Sequence, residues 1–370
     1  MTSPKGGEPL PPLYANWMAE LLGGVIPRES RASCDNCAMC AVSGAGRESA
    51  PRGYFFDPVV KCCTYSPDLP NFLVGGILSD VDPAAQFGRG TVEKRIADAI
   101  GVTPLGLMKS PVYALLYRNS SEAFGRTRTF RCSHYIEDGG RCGIWRHRNS
   151  VCTTWFCKHL RGQVGYTFWR SLLSALGHVE GELAHWCVLE LQLGDDALRH
   201  LMANGWDSRA DVTGDALDNK VDPETYAQIW GAWRGREQEF FRRCAGLVSP
   251  LSFTDVLAIC GPETRVHARL MQEAYRALTS EDLPPVLEVG SMQLAQMTRT
   301  STRVSTYSGY DPLDVPHRVM ELLPYFDGRP TEDVLAAIAD ERGVRLEPDL
   351  VRKLVDFMLL VPAKTPMSRV

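Results

Sequence analysis

Five cysteines stand close together near the start of the sequence: Cys34, Cys37 and Cys40 in "SCDNCAMC", then Cys62 and Cys63 in "KCCTY". Four more, Cys132, Cys142, Cys152 and Cys157, follow in "CSHYIEDGGRCGIWRHRNSVCTTWFCKH". Thiolate is a soft ligand that suits zinc and iron–sulfur clusters, whereas Mg²⁺ and Ca²⁺ prefer oxygen. The even CxxCxxC spacing is the run that opens a bacterial ferredoxin loop, in which three close thiolates hold one face of a cube. Such a loop carries a fourth cysteine shortly after, but Gly44 stands there, so Cys62 or Cys63 must complete the site. Adjacent cysteines in extended backbone point to opposite faces. Cys62 and Cys63 are therefore expected to serve two sites rather than one.

In the second group Gly139 and Gly140 form a turn ahead of Cys142. Here the chain resembles the YkgJ-type cysteine-cluster proteins, described as zinc- or iron-chelating. Cys132, Tyr135, Ile136, Gly140, Cys142, Ile144, Trp145, Arg148, Cys152, Phe156 and Cys157 carry the resemblance, which covers roughly residues 30–160. The first group departs from the family pattern, because its CC pair is displaced from the CxxCxxC run. The resemblance implies a metal centre held by the nine cysteines. One branch, the flagellin lysine-methylating proteins, links such a centre to an iron–sulfur cluster and to protein modification. Nine cysteines suffice for two four-iron (4Fe–4S) clusters with one spare, or for one cluster and one zinc. Zinc alone, replacing a hydrophobic core, is the alternative. Cys187, Cys244 and Cys260 are scattered singly in apolar surroundings and read as small buried hydrophobes.

Other residues invite chemistry less strongly. Residues 121–170 hold nine Arg or Lys against three acids, interleaved with Trp145, Trp155, Phe156, Tyr166 and Trp169. Such patches bind single-stranded nucleic acid, but cations also stabilise anionic thiolates, and that second role is expected here. Glu182 and His185 form an ExxH pair, half of a di-iron motif, while Glu263 and His267 stand four apart on one helix face. His159 is an alternative ligand beside Cys157. Asp311 and Asp314 in "GYDPLDVP" read as turn and cap residues. No Ser–His–Asp signature, nucleotide loop or GxGxxG names a reaction, and no residue is singled out as catalytic.

The elements that must hold these residues are mostly helices. "NWMAELLGG", "TVEKRIADAIG", "GYTFWRSLLSALGHVEGELAHWCVLELQL", "DDALRHLMANG" (with Asp195 as N-cap and Gly205 as C-cap), "DPETYAQIWGAWRGREQEFFRRCAGL" and "PETRVHARLMQEAYRAL" all carry helical spacing or end signals. "VYALLY" reads as a short buried strand or helical turn. After residue 284, "VLEVGSMQLAQM" and "TRVSTYS" alternate as strands, and three short helices follow. Their "DGRPT" turn, Asp327 to Thr331, makes this segment resemble PqqD-like winged-helix peptide-recognition domains. The resemblance implies a peptide added as a strand to an exposed sheet edge from one of those two strands, with Leu354 and Phe357 walling the groove.

At 370 residues the chain exceeds the size of a single core. Net charge −4 and a pI near 6.1 give no pull toward nucleic acid or anionic lipid. No apolar run is long enough to span a bilayer, and the polar N-terminus lacks the apolar core of a signal peptide, so a cytoplasmic protein is expected. The expected fold is mainly α, with an irregular metal-stabilised N-terminal region and a small α+β winged-helix-like C-terminal domain. Its segments are 1–27, a tail and short helix; 28–164, the cysteine-cluster domain; 165–283, a helical domain; and 284–370, the winged-helix-like domain. The expected function is an iron–sulfur protein that performs or assists redox modification of a peptide or protein bound by the C-terminal domain. A non-enzymatic zinc-stapled interaction module is the rival.

Overall fold

The computed structural model describes residues 7–34, 37–40, 56–203, 214 and 221–363. It is mainly α-helical with small antiparallel sheets. The chain divides into two units: residues 1–26, 33–155 and 172–271 form the first, and 27–32, 156–171 and 272–370 the second. This division runs across the four expected segments. Most of the cysteine-rich stretch shares the first unit with most of the helical middle. Among the described residues no single helix is long and apolar enough to cross a membrane.

The first unit opens with α1, Pro12–Leu22, which starts on a proline and stops where Gly23 turns left-handed. It buries Tyr14, Trp17 and Met18. Helix α2, Asn71–Ser79, buries nearly every side chain, and reading the sequence did not single it out. Helix α3, Gln86–Asp98, ends at left-handed Ala99. The two-residue strands β1 (Leu69–Pro70), β2 (Val102–Thr103) and β3 (Gly106–Leu107) pair in the order β1-β3-β2. "VYALLY" forms helix α4, Pro111–Arg118, capped by Ser110, and none of its side chains is fully buried. Strands β4 (Tyr135–Ile136) and β5 (Arg141–Cys142) make a hairpin, and α5, Ser150–Thr154, follows.

Helix α6, Gly162–Glu190, matches the long apolar run. Its residues to 171 belong to the second unit and the rest to the first. Helix α7 is Asp195–Ala203. Asp195 is its first residue rather than its N-cap, adding negative charge where the helix dipole favours it. Gly205 lies outside the described residues.

The expected single helix after Pro223 is broken. Helix α8, Pro223–Trp230, stops at Gly231, whose φ of 49° and ψ of −127° leave helical space. After a 3₁₀ turn and left-handed Gly235, α9 runs Glu237–Val248. The break sets the buried Trp230 edge-on to Phe240 and Phe241, with centroids 5.5 and 5.6 Å away. Against α9 lies α2, and the approach requires glycine: a Cβ on Gly75 would stand 1.8 Å from the Phe241 carbonyl oxygen. Helix α10, Phe253–Thr279, is interrupted at Gly261, with φ 78° and ψ −165°. Pro262 pushes the residue before it out of helical space, so the chain restarts a helix there.

The second unit carries its own core, with Leu287, Val304, Phe326, Ile338, Leu354 and Phe357 among its buried members. "VLEVGSMQLAQM" is two strands rather than one. Strand β6, Val286–Val289, is the centre of a sheet between β10 (Asp327–Pro330) and β11 (Leu360–Pro362). Strand β7, Gln293–Met297, is the edge of another with β8 (Ser301–Ser305) and β9 (Leu313–Pro316). Only β7 of the two is therefore an exposed edge. The three expected helices are α11, His317–Met320, cut short ahead of Pro324, then α12, Thr331–Arg342, and α13, Pro348–Asp356. Leu354 and Phe357 are buried in the core rather than lining a groove.

Candidate metal centre

Eight of the nine expected ligands, Cys34, Cys37, Cys40, Cys62, Cys63, Cys132, Cys142 and Cys152, lie in the first unit; Cys157 lies in the second. No cysteine is in a disulfide. Cys40 closes a 3₁₀ turn, Ala38–Cys40, in which its amide donates to the Cys37 carbonyl at 2.9 Å. Buried Met39 anchors that turn, its carbonyl accepting from Phe56 N.

Cys62 and Cys63 sit in a tight turn rather than in the extended backbone expected, because Lys61 is left-handed with φ 51°. Their thiols consequently hydrogen-bond to each other instead of pointing apart. The Cys132 amide donates to the Cys63 carbonyl at 2.8 Å, so the two sequence groups are stitched together through backbone. Lys61 Nζ adds a second stitch, donating to the carbonyls of Cys34 at 2.8 Å and Gly140 at 3.3 Å.

Two glycines in left-handed geometry, Gly139 and Gly140, turn the β4–β5 hairpin and place Cys142 on β5. Helix α5 presents Cys152, whose amide is capped by Asn149 Oδ1 at 3.0 Å. That helix is held by Glu180, which accepts from Ser150 N at 2.5 Å, from Ser150 Oγ at 2.6 Å and from the Tyr14 hydroxyl. Burial pushes the Glu180 carboxyl up to about 7.

The thiols form one electrostatic neighbourhood. Cys62 acts on Cys34, Cys40, Cys142 and Cys152, while Cys142 acts on Cys132 and both act on Cys152. Burial pushes the Cys34 thiol up to about 11, and Cys40 and Cys132 to about 12. It also raises Cys142 and Cys152. The hydrogen bond to Cys63, reinforced by burial, raises Cys62. Such thiols are protonated near neutral pH and become thiolates when a cation replaces their protons.

The protein already carries groups suited to that anionic state. Amide N–H groups two residues on, at His134 and Ile144, hydrogen-bond to the sulfurs of Cys132 and Cys142. The Arg148 guanidinium, stacked 3.5 Å over the Trp145 ring, bears on Cys34, Cys142 and Cys152. Charge-assisted donors of this kind orient ligands and tune a centre. The donor set thus fits a thiolate-held metal or cluster. Among the described residues no three of these sulfurs lie within 4.8 Å of one another.

Most of the basic run is committed elsewhere. Arg146 pairs with Asp82 at 3.2 Å and Asp80 at 3.6 Å, Arg128 with Asp57 at 3.2 Å, and Arg131 with Glu137. His185 Nδ1 lies 2.8 Å from the Gly181 carbonyl of its own helix. Cys187, Cys244 and Cys260 are buried, as expected.

Within the second unit, His159 is buried and neutral, its imidazole depressed to about 4 by burial. Asp311, expected to be a turn residue, is the buried hub of this region. It accepts from His159 N at 3.0 Å and from the Tyr307 hydroxyl, and it pairs with Arg31 at 2.8 Å. Arg161 grips Asp356 through two bonds of 2.6 and 2.8 Å. Nothing local in "GYDPLDVP" signals the burial of Asp311. Glu180 was legible in principle, being an acid on the same helix stripe as Leu176, Leu183 and Cys187.

Comparison with protein-family models, with curated proteins and with solved structures found nothing that matches this chain.

Proposed function

We propose that this chain is an iron–sulfur protein in which the eight cysteines of the first unit hold two cysteine-ligated centres, and that it takes part in redox-type modification of a peptide or protein. The joining of both cysteine groups through the Cys63 carbonyl and the Lys61 ammonium, beside the Arg148 guanidinium, carries this reading. Eight thiolates match two four-iron clusters at four ligands each, with Cys157 as the ninth cysteine outside that set. When bound, such clusters supply one-electron chemistry or a Lewis-acidic iron.

The residues of the chain define what surrounds that chemistry. Lys61 and the Cys63 carbonyl fix the two ligand groups to each other, Glu180 and Asn149 hold the helix that presents Cys152, and Arg148 offsets negative charge. For the substrate, the winged-helix-like reading of residues 284–370 offers β7 as the strand to which a peptide adds. Its exposed Leu294 and Met297 would choose among side chains.

The test is anaerobic purification from an iron-replete host, followed by visible spectroscopy and reduction. Brown protein whose charge-transfer absorbance bleaches on reduction supports the reading. Colourless protein with stoichiometric zinc replaces it with the zinc-stapled interaction module.

A further inference from the structure

We infer that the first unit carries a second, sulfur-free metal site, formed by His178 of α6 with Glu263 and His267 of α10, which takes a divalent transition ion of the zinc class. One ring nitrogen of each histidine and one carboxylate oxygen of Glu263 all lie within 4.8 Å of one another. The helical repeat puts Glu263 and His267 on one face, and the break at Gly261 with Pro262 starts the helical segment that bears them. His267 Nε2 stands 3.8 Å from Glu263 Oε1.

The two imidazoles face each other at 5.2 Å between centroids, with planes 38° apart. The rings are tilted rather than stacked. Ser174 Oγ lies 3.2 Å from His267 Nδ1. As acceptor there, it holds the proton on Nδ1 and leaves Nε2 with a lone pair for a metal, the outer contact that ligating histidines show. His178 Nε2 is buried and meets no hydrogen-bond partner among the described residues. A buried polar atom without a partner is costly, and an ion beside this ring gives its imidazole a role.

Two imidazoles and one carboxylate are a ligand set zinc uses when it keeps a further position open. Glu263 is exposed and both histidines are half-buried, so that position is open to water or to a small anionic ligand. The inference does not depend on the iron–sulfur reading, since it shares no residue with the cysteines.

Zinc titration of the full-length, chelator-washed protein tests it, with iron measured in the same samples. Wild type is expected to take up one Zn²⁺ per chain beyond any thiol-bound metal. Binding should weaken in acid, because protons compete with the metal for the ligand atoms. His178→Ala and the surface change Glu263→Gln should each weaken uptake at least tenfold while leaving iron content and helical circular dichroism unchanged. Co²⁺ in this site should give visible d–d bands without thiolate charge transfer. Unchanged zinc uptake in Glu263→Gln and His178→Ala overturns the assignment. Co²⁺ bands accompanied by thiolate charge transfer that survive both changes also overturn it, by placing the ion on the cysteines.

Discussion

Two side chains around the cysteines bring a charge and a titration that can be tested, and neither is a cysteine. Arg148 is the cation that bears on Cys34, Cys142 and Cys152. Arg148→Met keeps much of the stem that packs on Trp145 and removes the charge. The reduction potential of a bound cluster should then move to more negative values, because adding an electron is no longer offset by a nearby positive charge. A spectroelectrochemical titration showing no shift would take Arg148 out of the centre's surroundings. Glu180 is the second. Its folded-state pKa of about 7 stands above the ordinary value of 4.5. Its contribution is therefore fully present below pH 4.5 and lost as pH rises through about 7, an effect on the order of 3 kcal/mol. Urea denaturation at about pH 5 and about pH 8 should show wild type losing stability between them. Glu180→Gln keeps an acceptor for Ser150 and removes the titration, so its profile should be flatter. Equal slopes in the two proteins would mean that Glu180 stays ionised.

Helix ends and strand edges carry the next level. The sequence made α1 and α12 legible because apolar spacing ends at Gly23 or Gly343, and α6 because it runs long; α3 was legible too, but it stops at left-handed Ala99 and not at the expected Gly101. It hid α2, which is apolar all round and has no period to read. It also hid the break at Gly231, since a glycine inside helical spacing looks tolerable until its φ is known. Gly75→Val tests the α2–α9 contact, where a Cβ would strike the Phe241 carbonyl oxygen. Overpacking of this kind costs about 1–3 kcal/mol, more where backbone is the obstacle, and chemical denaturation should read at least that loss. Wild-type stability in the valine variant would mean that the helices separate freely. At the β7 edge, Leu294→Arg changes a side chain that is 63% exposed. It should leave folding intact and weaken capture of an apolar peptide by the full-length chain about tenfold. Undiminished capture would move peptide binding away from this strand.

For the molecule as a whole, which residues are ligand candidates could be read from residue type and spacing, but how they group could not. The spacing separated CxxCxxC from the later cysteines. The fold joins them through the left-handed Lys61 turn and the Cys132–Cys63 backbone bond, contacts between residues far apart in sequence. The Asp311 hub was hidden for the same reason, and so was the meeting of His178 with Glu263 and His267, which the sequence shows only as a pair four apart. The central claim is that the eight cysteines of the first unit hold two iron–sulfur centres. The most direct measurement is iron and acid-labile sulfide per chain in anaerobically purified protein, taken alongside its Cys157→Ser variant. The account predicts about eight of each in both proteins, as two four-iron clusters require. Zinc in place of iron, no labile sulfide, or loss of half the iron in Cys157→Ser would contradict it.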